Sequence, residues 1–473
     1  MNIFSYFKKK GIDTLDPTFY RKIEEWRSWY RGNVRGFSFY RVHTGQGTYT
    51  RRKRSSLGMA KKVSEDIADL LLNERVKITI SDDQTAAFVN AILGNNHFLV
   101  LGNEYQERKA YTGTVAYVPY LYNIEMADDG TVLDAQIGIE YISAQNIYPV
   151  SWNNGRVTEC VFTIPKTVNR KKYIQVQHHK KVNGQYVIEN TVLEAVPGSK
   201  EGKELSEEEW KSLLPFSNMA ARVETGSEEP QYVLDRLNIV NNADDDESNP
   251  MGIAIFANAI DILKGLDMTY DSYCNEFELG RKRVFVAPEM VKNKDGSLAF
   301  DPEDTVFYKM PEDYSEKSKE GMIHEMNMEL RADQHSKGIN DGLNYLSFKC
   351  GFGTERYKFD GSGVKTATEV ISENSDMYRT LKKHEIILSD AIIELVQIII
   401  RLGIAIGFKL QQDTEISIDF DDSIIEDKQA ERQQDRQDVS MGAMPLWEYR
   451  AKYYGETPEK AKAAVQQPAE VIE

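Results

Sequence analysis

Apolar residues recur every three to four positions through much of the first 95 residues, which predicts amphipathic helices. Asp16 and Pro17 have the N-cap and first-turn pattern of a helix start. One face of that helix carries Tyr20, Ile23, Trp26 and Tyr30. After a basic run at 51–54, predicted to be a loop, a second helix carries Leu57, Ala60, Val63, Ile67, Leu70 and Leu71. Ser81 and Gln84 have capping-box spacing before a third helix that contains Phe88, Val89 and Ile92.

The pattern changes to β between residues 109 and 195. Runs rich in β-branched and aromatic residues at 157–164, 173–178 and 186–192 are separated by hairpin-type dipeptides. These dipeptides are Asp129-Gly130, Asn154-Gly155 and Asn183-Gly184. The segment is therefore predicted to be an antiparallel sheet, followed by a short helix at Trp210.

A polar segment at 241–250 (NNADDDESNP) marks a boundary, after which helical periodicity returns. Residues 253–280 are predicted to be a helix, and 282–311 a small β unit. Residues 322–350 are predicted to be a second helix, weakened by Gly338 and Gly342.

The glycine-containing loop 351–363 (GFGTERYKFDGSG) leads into a predicted helix at 364–402. At ~1.5 Å per residue that helix is ~55 Å long, more than an ordinary globular domain needs. A strand at 415–420 precedes an acidic, Gln-rich helical tail. The fold class predicted from these patterns is α+β, mainly helical.

Composition limits the possible functions. The chain has 473 residues, enough for two to four substructures, and its aromatic content of 10% excludes wholesale disorder. Its formal net charge is −16, which repels a phosphate backbone. If DNA is a partner, we expect the protein to let it pass rather than to grip it.

Cysteine usage and hydropathy favour an intracellular protein without a membrane span. Cys160, Cys274 and Cys350 are too far apart for a disulfide framework or a CxxC metal site. The N-terminus has no apolar signal region. The apolar run 386–410 is interrupted by Asp390, Glu394 and Arg401, so a buried helix is predicted there.

No catalytic or metal-binding motif was found. The seven histidines have no ligand spacing, and His178 and His179 point to opposite faces of a predicted strand. The acidic run 244–247 lacks the spacing of a calcium loop. There is no GxxxxGK[ST], no GxGxxG after a strand and no GxSxG. We therefore predict no enzyme, metal or cofactor.

The loop 351–363 has two interpretations. Arg356 and Lys358 lie between glycines, which is compatible with an ordinary exposed loop or with a mobile element that meets a polyanion. The basic run 51–54 is likewise either a solvated loop or a contact for DNA or a partner protein.

Seven long stretches, in one order along nearly the whole chain, resemble the portal proteins of long-tailed phages of Gram-positive bacteria. They include SLGMAKKVSEDIADLLLNE (56–74), SWNNGRVTECVF (151–162), NPMGIAIFANAIDILKGLDMTYDS (249–272) and FELGRKRVFVAPEMV (277–291). The others are ELRADQHSKGINDGLNYLSFKCGFG (329–353), GVKTATEVISENSDMYRTLKKHE (363–385) and ISIDFDDSIIEDKQAERQQD (416–435).

The resemblance implies a ring of about twelve subunits, each with a wing, stem, clip and crown. The wing would comprise 1–252, including the β-rich part 109–195, together with the long helix and strand at 364–421. The implied stem helices are 253–281 and 322–350, the clip is 282–321, the tunnel loop is 351–363 and the crown is 422–473.

The resemblance also implies the partners and their sites. Double-stranded DNA would pass through the channel and touch Thr354, Arg356, Tyr357 and Lys358 in the tunnel loop. The packaging ATPase (large terminase), and later head-completion or tail adaptor proteins, would dock on the clip at Asn293, Lys294, Asp295, Glu312, Asp313, Glu316 and Lys317. Major capsid and scaffold proteins are further implied partners, in the virion and, during assembly, in the host cytoplasm.

A ring of this kind fits the duplex. Twelve helices of ~10 Å diameter have a centre-line circumference of ~120 Å, which leaves a bore of ~28 Å for a duplex of about 20 Å. The alternatives are a protease or nuclease of the phage head, which needs a constellation not found here, and a shell or scaffold protein. Scaffold proteins are mostly helical and poor in aromatics, whereas this chain has 25 tyrosines and a β-rich middle.

Overall fold

The computed structural model describes residues 2–43, 48–73, 75–126, 132–199, 201–280, 283–286, 307–309, 323–326, 329–359, 367–420, 428–454 and 456–466. The helices in these ranges are α1 Ile3–Lys10, α2 Pro17–Tyr30, α3 Met59–Leu71, α4 Asp83–Asn95, α5 Phe98–Thr112, α6 Glu207–Lys211, α7 Ile260–Leu279, α8 Ala332–Lys349, α9 Ala367–Ala405, α10 Lys428–Ser440, α11 Leu446–Tyr454 and α12 Pro458–Gln466. The mixed α+β class is confirmed.

The N-terminal helices begin where capping groups satisfy their free N–H groups. Asp16 accepts a hydrogen bond from the Thr18 N–H at 2.7 Å, with Pro17 in the first turn, as predicted. At α4 the expected Ser81 cap is wrong, because Asp82 is the N-cap and accepts from the Thr85 N–H at 2.8 Å. Helix α5 was not predicted, since its first turns, FLVLGNEY, have no clear amphipathic period.

The β-rich segment contains two antiparallel sheets. Strands β4 Thr114–Met126 and β5 Val132–Ser143 form a long hairpin, and β12 Val233–Arg236 pairs with β4. The other sheet contains β6 Ile147–Asn153, β7 Arg156–Val168, β8 Lys171–Val182, β9 Gln185–Glu194, β10 Lys203–Glu204 and β11 Arg222–Glu224. Two predicted turns are confirmed by positive φ angles at Asn154, Gly155, Asn183 and Gly184. The turn predicted at 129–130 lies outside the described residues.

Helices α7 and α8 pack together as an antiparallel pair. Gly342 allows the close approach, because a Cβ there would lie 2.7 Å from Leu266 Cδ2. The first predicted helix is wrong at its start: 257–259 is a 3-10 turn, and α7 begins at Ile260. The second is also wrong at its start, because Ile323–Met326 forms a strand, and helix begins only at Ala332.

Three short strands lie between α7 and α8 in sequence. They are β13 Arg283–Val286, β14 Phe307–Lys309 and β15 Ile323–Met326, ordered β14-β13-β15. Strand β13 pairs parallel with β14 and antiparallel with β15. The predicted small β unit is therefore confirmed for these strands and gains a third one.

The 39-residue helix α9 runs through the main core, close to the predicted bounds. Leu388, Ile392, Leu395, Val396 and Ile399 are fully buried along it. After α9, β16 Ile416–Asp419 pairs with β3 Lys77–Ile80. This pairing connects the segment that follows α9 to the segment that precedes α4. No helix in the described ranges is long and apolar enough to cross a membrane.

Candidate functional site

The segment 351–359, the first part of the predicted tunnel loop, turns sharply at the end of α8. Gly351 and Gly353 have φ angles of +84° and +76°, and Glu355 has a φ of 68°. A Cβ at Gly351 would lie 2.7 Å from Thr380 Oγ1 on α9, so the residue must be small as well as left-handed. The remaining loop residues, 360–363, lie outside the described residues.

Three aromatic side chains hold this segment against the helices. Phe352 and Tyr357 are buried, with ring centroids 6.1 Å apart in an edge-to-face arrangement. Phe359 lies 5.3 Å from the ring of Tyr273 on α7, and its N–H donates to Asn340 Oδ1 on α8 at 2.8 Å. The backbone that carries the charged residues between these aromatic side chains is therefore held in place against the helices.

The four predicted DNA-contacting residues do not share one environment. Thr354, Arg356 and Lys358 are exposed. Tyr357 is only 8% exposed, and burial, followed by the nearby Asp66 carboxylate, raises its pKa. In the single subunit the Tyr357 ring fills the core, so its contact with DNA stays a prediction.

The two basic side chains also differ. Lys358 Nζ lies 3.1 Å from Glu355 Oε2, whereas no described carboxylate forms an ion pair with Arg356. A polar groove of about 470 Å³ separates this segment from α8, and it is lined by Asp333, Ser336, Lys337, Asn340, Asn344, Glu355 and Lys358. Because its charges are mixed, the groove cannot hold a phosphate backbone as tightly as a purely basic surface would.

The helix pair beside the segment is acidic and clamped at one end. Helix α7 carries five carboxylates and one lysine, and α8 carries two of each, which leaves four net negative charges. Glu276 forms two hydrogen bonds with the Arg331 guanidinium, at 2.8 and 3.1 Å. The Arg331 side chain and backbone N–H lower the Glu276 pKa to about 2, so this clamp stays ionised.

The basic run 51–54 was predicted to be a loop, and this prediction is wrong. Residues 51–53 belong to strand β2 Tyr49–Lys53, which forms a hairpin with β1 Phe39–His43, and Arg54 follows that strand. Arg52 pairs with Glu278 of α7, and Arg54 lies 3.9 Å from Asp271. Asp271 and Asp267 also accept hydrogen bonds from the backbone N–H groups of the segment that follows. This part of the run therefore binds the protein's own helix.

Sequence reasoning missed two pairs of buried ionisable residues, one at the site and one in the main core. Asp267 and Asp271 were detectable in principle, since two carboxylates four residues apart interrupt an otherwise apolar helix face. The ion pair between Lys109 and Asp235, 2.8 Å apart and fully buried, left no local signal because 126 residues separate its partners. Burial lowers the pKa of Lys109, while Asp235 opposes that shift.

The histidines carry no metal site in the described ranges, where no group of three potential ligands occurs. His179 is fully buried, whereas His178 Nε2 lies 2.7 Å from Glu159 Oε1, so the two do point to opposite faces as predicted. The clip residues Asn293, Lys294, Asp295, Glu312, Asp313, Glu316 and Lys317 lie outside the described residues.

Comparison with known families matches residues 10–470 to the phage portal proteins of the SPP1 Gp6-like type. The chain belongs to this portal protein family. No curated protein matches the chain significantly. The predicted resemblance is therefore confirmed, including its association with phages of Gram-positive bacteria. The family is one of structural components of the virion, the head–tail connectors, which disfavours the alternatives of a head protease, a nuclease or a shell protein.

Proposed function

We propose that the chain forms a ring of about twelve subunits at one capsid vertex, through which double-stranded DNA enters during packaging and leaves during ejection. The observation that carries this proposal is the family match over almost the whole chain. In the host cytoplasm the ring would initiate procapsid assembly with major capsid and scaffold proteins.

The antiparallel pair α7–α8 is suited to line such a channel. A ring of twelve inner helices has a bore of ~28 Å, which admits a duplex of about 20 Å. The two helices together carry four net negative charges, of which Asp271, Glu276 and Glu278 are paired with arginines of the same subunit. The pair therefore offers no basic surface that would hold the phosphates. A weakly interacting wall lets the duplex slide.

Direct contact with DNA is assigned to the exposed residues of the tunnel loop. Arg356 has no described carboxylate partner and is the principal candidate, while Lys358 shares its charge with Glu355. Thr354 can donate a hydrogen bond to a phosphate oxygen. Few and weak contacts of this kind retain DNA without stopping it.

The test combines imaging and packaging. Negative-stain images of the purified chain should show rings with a central hole, and a compact monomer at all concentrations would end the proposal. In a reconstituted packaging reaction, Arg356→Ala with Lys358→Ala should reduce the DNA retained, with Arg356→Ala alone giving most of the loss. Arg170→Ala, an exposed cation in the β7–β8 turn, is the matched control. Equal packaging by all variants would exclude the loop contact.

The docking of large terminase, and later of head-completion or tail adaptor proteins, is assigned to 293–300 and 312–320. Glu312→Lys with Glu316→Lys should leave rings intact and weaken terminase binding. If these substitutions spare both ring assembly and terminase binding, the docking surface lies elsewhere.

A further inference from the structure

The hairpin β1–β2 has two chemically different faces. The face turned toward α7 carries Arg52, which pairs with Glu278, and is continued by Arg54 beside Asp271. The opposite face, here called the basic–aromatic face, consists of three cross-strand pairs: Phe39 with Lys53, Arg41 with Arg51, and His43 with Tyr49. All six side chains are exposed, and Tyr49 is 65% exposed.

The positive charges of the basic–aromatic face are not paired with carboxylates of the described residues. Arg41 and Arg51 are direct cross-strand neighbours, an arrangement of like charges that opposes strand pairing. No described carboxylate forms an ion pair with Arg41, Arg51 or Lys53, whereas the other face of the same hairpin is paired. An anionic group between the two arginines would remove this repulsion.

The face also has the shape and composition of a protein interface. Arg51 stacks on the Phe39 ring at 4.0 Å, and His43 contacts Tyr49 edge to face at 5.0 Å. A groove of about 570 Å³ runs beside these residues and is lined in part by Arg35, Arg41 and Arg51. Arginine and aromatic residues are enriched at protein interfaces, where the flat guanidinium accommodates carboxylates in two-pronged geometry.

The position of the hairpin distinguishes between possible partners. The hairpin and the segment that follows it bind the side of α7 that carries Asp267, Asp271 and Glu278. The tunnel-loop segment contacts α7 through Tyr270 and Tyr273, which lie on another side of the helix. If the loop faces the channel, the basic–aromatic face is turned away from the DNA in it. The anions available there are those of the adjacent subunit, and each copy carries a net charge of −16.

We propose that the basic–aromatic face docks a carboxylate-bearing surface of a second copy of this chain, as one half of the contact between neighbouring subunits. This inference rests on the proposed ring. The contact is heterologous, because a basic surface on one copy meets an acidic surface on the next, and repetition of such a contact generates rings.

One experiment measures assembly. Wild-type protein, Arg41→Glu with Arg51→Glu, and the control Arg170→Glu with Lys172→Glu are compared at equal subunit concentration by mass photometry. The first variant should lower the ring fraction at least about tenfold, because like charges then face each other across the contact, while the control stays near wild type. Circular dichroism and melting curves establish that each subunit folds. A folded variant with wild-type ring content would overturn the inference without affecting the proposed ring.

A second experiment identifies the occupant directly. A photo-reactive benzoylphenylalanine in place of Tyr49 should yield, in assembled wild-type rings, a product of twice the subunit mass whose linked peptide contains Asp or Glu. Crosslinking to added duplex DNA without the subunit product would overturn the inference, as would the absence of any intersubunit product. Failure of the wild-type chain to form rings would instead overturn the proposed function.

Discussion

Acid should destabilise this protein through a buried histidine, His179. It lies between the rings of Phe162 and Tyr232, each 5.3 Å away, and neither of its ring nitrogens has a hydrogen-bond partner among the described residues. Burial lowers its pKa to about 3. In the unfolded chain the value returns to ~6.5.

The sign and size of the effect follow from proton linkage. Between pH 6.5 and pH 3 the unfolded chain binds a proton that folded His179 does not, so stability falls as the pH falls through this window. From pH 7 to pH 5 the loss is about 2 kcal/mol for one such histidine. His384 has its pKa lowered to about 3 by burial and by Lys109, and should contribute a similar loss.

The assay is urea unfolding followed by the fluorescence of the five tryptophans, at pH 7 and pH 5 and at one protein concentration. His179→Leu removes the titrating group and gives up no hydrogen bond within the described residues. Its loss of stability between the two pH values should be about 2 kcal/mol smaller than that of wild type. His97→Asn, at an exposed position whose left-handed φ of 50° asparagine also adopts, is the control. If His179→Leu and wild type lose equal stability, His179 is not held neutral in the core.

Four further substitutions test packing. Gly113→Ala should cost about 3 kcal/mol or more, because φ is +86° and the new Cβ would lie 2.2 Å from a facing carbonyl oxygen; Gly184→Ala, with φ +88° and open space, should cost about 1–2 kcal/mol. Lys109→Met should cost about 3–5 kcal/mol by leaving Asp235 buried without its counter-ion. Tyr357→Phe should change stability by less than about 1 kcal/mol and leave packaging unchanged, because the buried hydroxyl lies near Asp66 without a hydrogen bond of normal geometry.

Denaturant unfolding measures the three stability effects, and the packaging reaction measures the last. Equal costs at the two glycines would show that the backbone contact yields easily. If Lys109→Met lowers the free energy of unfolding only slightly, and the loss disappears at low pH, then Asp235 takes up a proton when its counter-ion is removed. A packaging defect in a stable Tyr357→Phe protein would return this residue to the DNA-contacting set.

The parts of the fold that were predictable are those with local signals. The Asn-Gly turns and the long apolar stripe of α9 specify their own structure, because short-range sterics and burial decide them. Strand Ile323–Met326 was missed because its partner, Arg283–Val286, lies 40 residues earlier in the sequence. Its apolar residues also continue the helical spacing of the segment that follows, so the sequence shows no break between strand and helix. Helix α5 was missed for the opposite reason, since it packs on several sides and shows little amphipathic pattern.

The candidate site was predictable in position but not in detail. The spacing of the glycines predicted the turn after α8, and it also indicated that Arg356 and Lys358 are exposed there. The alternation of anchored and exposed residues depends on contacts of Phe359 with Asn340 and Tyr273, and on the proximity of Tyr357 to Asp66. These three partners come from three other elements. Likewise, the basic run gave no sign that one half of it would be neutralised by α7.

The pairing of β3 with β16 has a consequence for biosynthesis. Strand β3 ends at Ile80 and its partner begins at Ile416, so at ~5–20 residues per second the ribosome needs about 20–70 s to deliver the second strand. Throughout that interval the edge of β3 has no partner from its own chain and is open to chaperones or to misplaced strands. A polypeptide that ends before β16 would leave this edge unpaired. Only chains synthesised beyond Asp419 can complete the two-stranded sheet of β3 and β16.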